Sequence, residues 1–278
     1  MTDLNITLIQ ADPHWEDVDA NLHMFEEKIA RIGQSTDVII LPEMFTTGFS
    51  MEAQKLGEMM NMKTTKWMKM IADRTGALIM GSFIAKVHDR FYNRLIWMEP
   101  GGVIKTYDKR HLFRMSDEHL TYSQGESLFI GHWKGWRICP LICYDLRFPV
   151  WSRNRWNATL KKPAYDLLVY VANWPQVRAN AWDTLLRARA IENLSYVAGV
   201  NRVGIDGKGI EYIGNSQIIS PKGEPIFSVE GVEEVKTIQL NANSLQAYRD
   251  KFPALLDADD FNLEIGEYEE RESPTGLS

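Results

Sequence analysis

Three residues with complementary chemistry each stand just past an apolar run. Glu43 follows residues 38–41 and Pro42, Lys109 follows residues 103–107, and Cys143 follows residues 138–142. A carboxylate, an ammonium and a thiol together suit nucleophilic hydrolysis. A free thiol, with a pKa of about 8.5, is only slightly ionised at neutral pH and needs a base to form its attacking thiolate. It also needs a donor to hold the oxyanion that develops on the substrate. Taken singly, each residue has an ordinary reading. Cysteine usually packs as a small hydrophobe, which suits Cys139 on the same run. Glu43 after a proline suits a solvated loop, and Lys109 between Asp108 and Arg110 suits an exposed charge run.

The surroundings of Cys143 sharpen the case. An apolar run of five residues reads as a buried strand. Polar Tyr144, Asp145 and Arg147 follow, then Phe148 and Pro149. Proline suits the first turn of a helix. The thiol is therefore expected on a strand-to-helix turn at the rim of a sheet, where α/β proteins collect their sites.

The rest of the chain must position these groups. Residues 4–10 alternate as a strand. Val18, Leu22, Phe25, Ile29 and Ile32 paint one helix face, with Gly33 as a stop. Residues 38–41 form a short buried strand, and 64–74 a helix ending before Gly76. Strands at 78–85, 91–99 and 103–107 make a meander. The strand at 137–143 is followed by one at 166–171 and by a helix carrying Trp182, Leu185, Leu186 and Leu194. Strands at 196–201, 216–220, 226–229 and 235–240 close the pattern. Mixed helices and strands without a linker or repeat indicate one α/β domain with a partly antiparallel arrangement, in two sheets.

Composition narrows the function. The chain has 278 residues, 45% of them hydrophobic, enough for a large core. No stretch approaches the roughly 18 apolar residues of a membrane span. The first ten residues hold Asp3 and no basic cluster, which argues against a signal peptide. Two cysteines four apart on one strand cannot staple a fold, so a reducing cytoplasm is expected. Residues 257–278 hold eight acidic side chains and one basic one, so this acidic C-terminal arm, from about 255, sums to −7 in a chain whose net charge is −6. The remainder is near neutral and offers no basic stripe for nucleic acid. Phe261, Leu263, Ile265 and Tyr268 would let the arm pack on a subunit partner, although a solvated end is the commoner fate.

The order and spacing of Glu43, Lys109 and Cys143 resemble the nitrilase superfamily of carbon–nitrogen hydrolases. The resemblance rests on Leu41-Pro42-Glu43, on Tyr107-Asp108-Lys109-Arg110-His111-Leu112-Phe113, and on Cys143-Tyr144-Asp145-Leu146-Arg147-Phe148-Pro149. Asn173-Trp174-Pro175, residues 189–193 and Gly214-Asn215-Ser216 add to it, and it extends over residues 4–240. Thr46 to Ser50, Arg114 after Phe113, and Ala172 to Pro175 look most like the omega-amidase branch. The resemblance implies a four-layer α-β-β-α sandwich with two mixed sheets, a homodimer, and no metal or organic cofactor. The helix after Pro149 and the C-terminal arm would lie at the dimer interface. It also implies hydrolysis of the terminal amide of 2-oxo acid amides such as 2-oxoglutaramate and 2-oxosuccinamate.

Roles follow from the same resemblance. Glu43 takes the thiol proton and later activates water. Cys143 carries a thioester. Lys109 and the backbone N–H of Tyr144 face the oxyanion, and Glu118 orients Lys109 and the leaving amide. A substrate carboxylate calls for a cation, with Arg147 and Arg114 nearest in sequence. Phe49, Phe113 and Trp174 would wall the pocket. Arg147 has an equal structural reading, Glu118 could be a surface acid beside His119, and the aromatics could be ordinary core.

Rival readings make distinct predictions. A Cys–His hydrolase would pair His111 with Cys143, without any cysteine-protease signature around the thiol. Metal hydrolysis lacks a His-Glu-x-x-His or a zinc-spaced cluster, and dinucleotide binding lacks its glycine fingerprint. A different amidase or N-carbamoyl hydrolase of the same family would keep the residues and change the substrate. A silent scaffold would lack one of them. Acyl transfer would replace water with an amine.

Overall fold

In the computed structural model, residues 1–159 and 161–263 are described. The alternating segment at the start is strand β1 (Leu4–Gln10), followed by α1 (Val18–Ala30), β2 (Val38–Ile40) and the single turn α2 (Ala53–Leu56). Next come α3 (Lys63–Thr75), β3 (Leu78–Val87), β4 (Arg90–Met98), β5 (Ile104–Asp108) and the single turn α4 (Glu118–Thr121). The middle of the chain holds β6 (Gly131–Trp133), β7 (Trp136–Ile142), the single turn α5 (Pro149–Ser152) and the two-residue pair β8 (Trp156–Asn157) and β9 (Lys162–Pro163). The last part holds β10 (Leu167–Val171), α6 (Ala179–Asn193), β11 (Tyr196–Val200), β12 (Val203–Ile205), β13 (Glu211–Ile219), β14 (Pro225–Glu230), β15 (Glu234–Leu240) and α7 (Ala242–Lys251).

Two mixed sheets result. The first runs β15-β1-β2-β3-β4-β5, parallel at its centre and antiparallel at both flanks. The second runs β12-β13-β11-β10-β7-β6, with β14 also on β13, and its parallel core is β7-β10-β11. Alternation along the strands sorts residues between layers. Leu4, Ile6, Leu8, Val38, Ile40, Leu95 and Trp97 face the second sheet and share a core with Ile138, Leu141 and Val169. Ile9, Ile39, Ile79, Ile96 and Met98 point outward, under Leu22, Phe25 and Ile29 of α1 and Trp67, Met68 and Ile71 of α3. Trp182 and Leu186 of α6 and Leu245 of α7 join the core from the far side. The layers are therefore helix, sheet, sheet, helix, as the resemblance implies.

The local reading holds with small shifts. Gly76 stops α3 with a φ of 68°, a left-handed conformation that glycine adopts without strain. Gly33 does not stop α1, which ends at Ala30 with Arg31 closing the turn. The helix expected after Pro149 is only one turn, because the five residues Cys143–Arg147 first form a 3-10 turn. Helix α7 is not apparent from periodicity. Asn241 caps it by accepting the Ser244 N–H at 2.7 Å. Of the acidic arm, Leu255 is buried and Phe261 lies under the Arg155 guanidinium at 4.2 Å, while residues 264–278, with Ile265 and Tyr268, lie outside the described residues. No helix among the described residues is long and apolar enough to cross a membrane.

Candidate active site

Four parallel strands end at one edge of the sandwich. Past the carboxyl ends of β2 and β5 stand Glu43 and Lys109, and past those of β7 and β10 stand Cys143 and Asn173. The two sheets thus contribute one pair of residues each. The backbone turns sharply there. Cys143 itself has a φ of 43°, Met44 after Glu43 has 43°, and Asp117 before Glu118 has 58°. Left-handed conformations at non-glycine residues cost about 1–3 kcal/mol each and persist where the surroundings hold them.

The carboxylates converge on the ammonium. Lys109 Nζ lies 2.8 Å from Glu43 Oε1 and 2.9 Å from both oxygens of Glu118. All three side chains have no exposed surface, and Cys143 has only 8%. Asn93 Nδ2 donates to Glu43 at 2.7 Å and to Glu118 at 3.2 Å, bridging the two acids. The Asn173 N–H donates to Glu43 Oε2 at 2.8 Å, and its amide donates to the Glu43 carbonyl at 2.7 Å. The Phe113 N–H holds Glu118 at 2.6 Å. The Cys143 thiol faces the Asn173 carbonyl at 3.9 Å.

The electrostatics follow from burial and charge. Burial disfavours the ammonium of Lys109, but the charges of Glu118 and Glu43 outweigh it and hold the group well above the ordinary lysine range. Burial and the nearby Glu43 charge raise Glu118, against the pull of Lys109. Burial, followed by the negative charge of Glu43, pushes the Cys143 thiol well up, with Lys109 opposing. These surroundings favour the protonated form of the thiol. Such a thiol gives up its proton during attack and does not wait as a thiolate.

Asp145 builds the turn that presents the sulfur. Its carboxylate accepts the Ile142 N–H at 3.1 Å, the Tyr107 hydroxyl at 2.7 Å and the His111 N–H at 3.0 Å. It also contacts His111 Nδ1 at 2.8 Å, and that ring stacks on Phe148 at 3.8 Å. His111 therefore serves the turn, and its Nδ1 is engaged by Asp145.

The remaining sequence candidates lie around these groups. The Phe49 ring lies 5.1 Å from Lys109 Nζ, Phe113 packs edge-on to Tyr144 at 5.0 Å, and Trp174 is buried beside Asn173. Arg147 is exposed and lies over Trp174 at 5.0 Å, whereas Arg114 is exposed on the turn after Phe113. Glu118 is no surface acid. Asn93 escapes sequence reasoning, yet its signal is visible: it occupies the inward stripe of β4 with Leu95 and Trp97, where an apolar residue is expected. Among the described residues, no group of three or more His, Cys, Asp or Glu side chains is arranged to hold a metal ion.

Comparisons with known proteins show the family. A family model described as carbon-nitrogen hydrolase matches residues 5–250. The chain is 48% identical over 264 residues to the omega-amidase YafV of Escherichia coli K12, covering 95% of this chain and all of that one. It is 31% identical over 255 residues to the 2-oxoglutaramate amidase of Bacillus subtilis, covering 91% and 96%. The crystal structure of XC1258 from Xanthomonas campestris, a CN-hydrolase superfamily protein with an arsenic adduct in its active site, superposes with a TM-score of 0.93. It is 45% identical, with 95% of this chain and all of that chain covered.

Proposed function

The chain belongs to the carbon–nitrogen hydrolase family, and from that premise we propose that it is an omega-amidase, hydrolysing the terminal amide of 2-oxo acid amides such as 2-oxoglutaramate and 2-oxosuccinamate. One observation carries the chemistry: a buried lysine bridges two carboxylates at the strand ends where the Cys143 thiol is buried. The two amidase relatives carry the substrate class.

The steps use these groups in turn. Glu43 accepts the thiol proton as Cys143 Sγ attacks the amide carbon. The oxyanion is held by Lys109 Nζ and the Tyr144 N–H. Glu43 returns the proton to the nitrogen, the carbon–nitrogen bond breaks, and ammonia leaves. Glu118 keeps Lys109 in place and orients the leaving amide by hydrogen bonding. Glu43 then takes a proton from water as the oxygen attacks the thioester, and the 2-oxo dicarboxylate is released with the thiol restored.

The presence of every member of this constellation speaks against a silent scaffold. The free, buried thiols of Cys139 and Cys143 support a reducing, cytoplasmic setting. Exposed Val150 and Ile191 on α5 and α6 support a homodimer through that face. A core shared by both sheets supports one domain.

Ammonia release from a panel of 2-oxoglutaramate, 2-oxosuccinamate, glutamine, asparagine, an N-carbamoyl amine and a simple nitrile tests the proposal. The 2-oxo acid amides should turn over fastest, and Cys143→Ala should abolish the release. A preference for the nitrile or the carbamoyl compound would remove the substrate assignment.

A further inference from the structure

Two guanidinium groups lie over aromatic rings beside the site, and among the described residues neither is paired with a carboxylate. Arg147 lies over the Trp174 ring at 5.0 Å, and Arg178 lies over the Phe113 ring at 5.3 Å. Arg94, Arg137, Arg189, Arg202 and Arg249 each pair with an acidic side chain. Among the described residues, Arg147 and Arg178 pair with none. The polar contact of the Arg178 head group is with the Met115 sulfur at 3.2 Å, a weak acceptor. No acidic residue occupies the first turn of α6, which begins next to Arg178.

Both supporting rings belong to the site. Trp174 follows Asn173, whose carbonyl faces the thiol and whose N–H holds Glu43. Phe113 holds Glu118 through its N–H and packs against Tyr144, next to Cys143. The Trp174 indole N–H donates to the Arg178 carbonyl at 2.8 Å, so the ring beneath Arg147 also anchors the Arg178 backbone. Sequence position favours Arg147 and Arg114 as carboxylate partners, and the geometry adds Arg178.

A guanidinium laid on an aromatic face keeps its edge free for a planar anion, which it can grip through two parallel N–H bonds. We propose that Arg178, together with Arg147, clamps the carboxylate end of the substrate, so that the site selects acyl chains bearing an anion distal to the amide. This inference rests on the 2-oxo acid amide reading and assigns Arg178 as a specificity determinant of that reaction. The clamp lies over these rings, while the amide lies at the buried end beside Cys143 and Lys109. Binding energy at the carboxylate then reports on which substrate enters, and the buried acids and thiol act on the amide.

The test compares kcat/KM on 2-oxoglutaramate with that on pentanamide, an uncharged primary amide of equal chain length. Wild type, Arg178→Gln, Arg178→Lys and the double variant Arg147→Gln/Arg178→Gln are measured. Arg178→Gln should cut the preference for the anionic amide at least tenfold, mainly through KM. Arg178→Lys should restore part of it, and the double variant should lose more than the single. If Arg178→Gln does not fold, Arg178→Lys against wild type at low and high salt gives the same reading, with KM for the anionic amide alone expected to rise. A preference within about twofold of wild type in Arg178→Gln, or in Arg178→Lys with no salt effect, overturns the clamp and leaves the amidase intact. A wild type that does not prefer the anionic amide overturns both.

Discussion

A fully buried lysine is costly unless opposite charges surround it. Lys109 has two, and removing either would leave a buried charge under-compensated, at about 3–5 kcal/mol. Glu43 is the more informative position to change, because the proposal gives it a proton-transfer role while its charge opposes the thiolate. Glu43→Gln should lower amide turnover by about a hundred- to ten-thousand-fold. The same variant should move the pH midpoint of Cys143 alkylation downward, since a negative neighbour has been removed. Alkylation profiles of wild type and variant, read by intact mass, check this; an upward shift would mean that Glu43 stabilises the thiolate. At this scale Glu43, Lys109 and Cys143 were legible because each follows an apolar run, whereas Glu118 was legible only through the family resemblance. Asn93 and Asn173 were not legible as a clamp on Glu43, because nothing local says that strands fifty and 130 positions away will meet it.

At the scale of the element, the turn after β7 does the presenting. Periodicity marks where the strand ends, and Pro149 marks where a helix can begin. Neither reveals that Cys143 adopts a φ of 43°. That conformation is held by Asp145, which ties the Ile142 N–H to Tyr107 of β5 and to His111. Asp145→Asn replaces acceptor lone pairs by an N–H₂ facing donors. It should destabilise the fold by about 3 kcal/mol, the scale of one or two buried charge-assisted bonds, and should reduce kcat/KM at least tenfold. Thermal melts together with kinetics check both. A stable variant with full activity would show that the turn holds itself.

Over the whole molecule, Asp166 performs the corresponding service on the far side of sheet two. It receives Arg137 of β7 at 2.5 Å and Arg249 of α7 at 2.6 Å, stapling the last helix to the sheet. Burial would raise its pKa, but the hydrogen bond from Arg137 and the charge of Arg249 hold it below the ordinary value of 3.8. A carboxyl depressed in the folded state contributes stability that is full above its unfolded pKa and is lost as pH falls through the folded one. Asp166→Asn should therefore destabilise by about 3–5 kcal/mol at pH 7, where the buried Arg249 and the half-buried Arg137 lose their partner. The gap between variant and wild type should close as pH drops well below 4. Urea unfolding at pH 7 and at pH 3 checks it, and a gap independent of pH would mean that packing, and not charge, is responsible.

The amino-acid sequence by itself determined the elements and the chemical types. Alternation and helical spacing depend on neighbours a few positions away, and the nucleophile, acids and ammonium are carried by the letters themselves. The edge at which those groups meet was decided only by tertiary structure. Two sheets had to pack face to face before the ends of β2 and β5 could approach those of β7 and β10. Burial then followed from that packing, and with it a thiol pushed toward its protonated form and a lysine held between two carboxylates. The pairing of arginines with acids, which leaves Arg147 and Arg178 among the uncommitted ones, likewise depends on distances across the fold that no local pattern encodes.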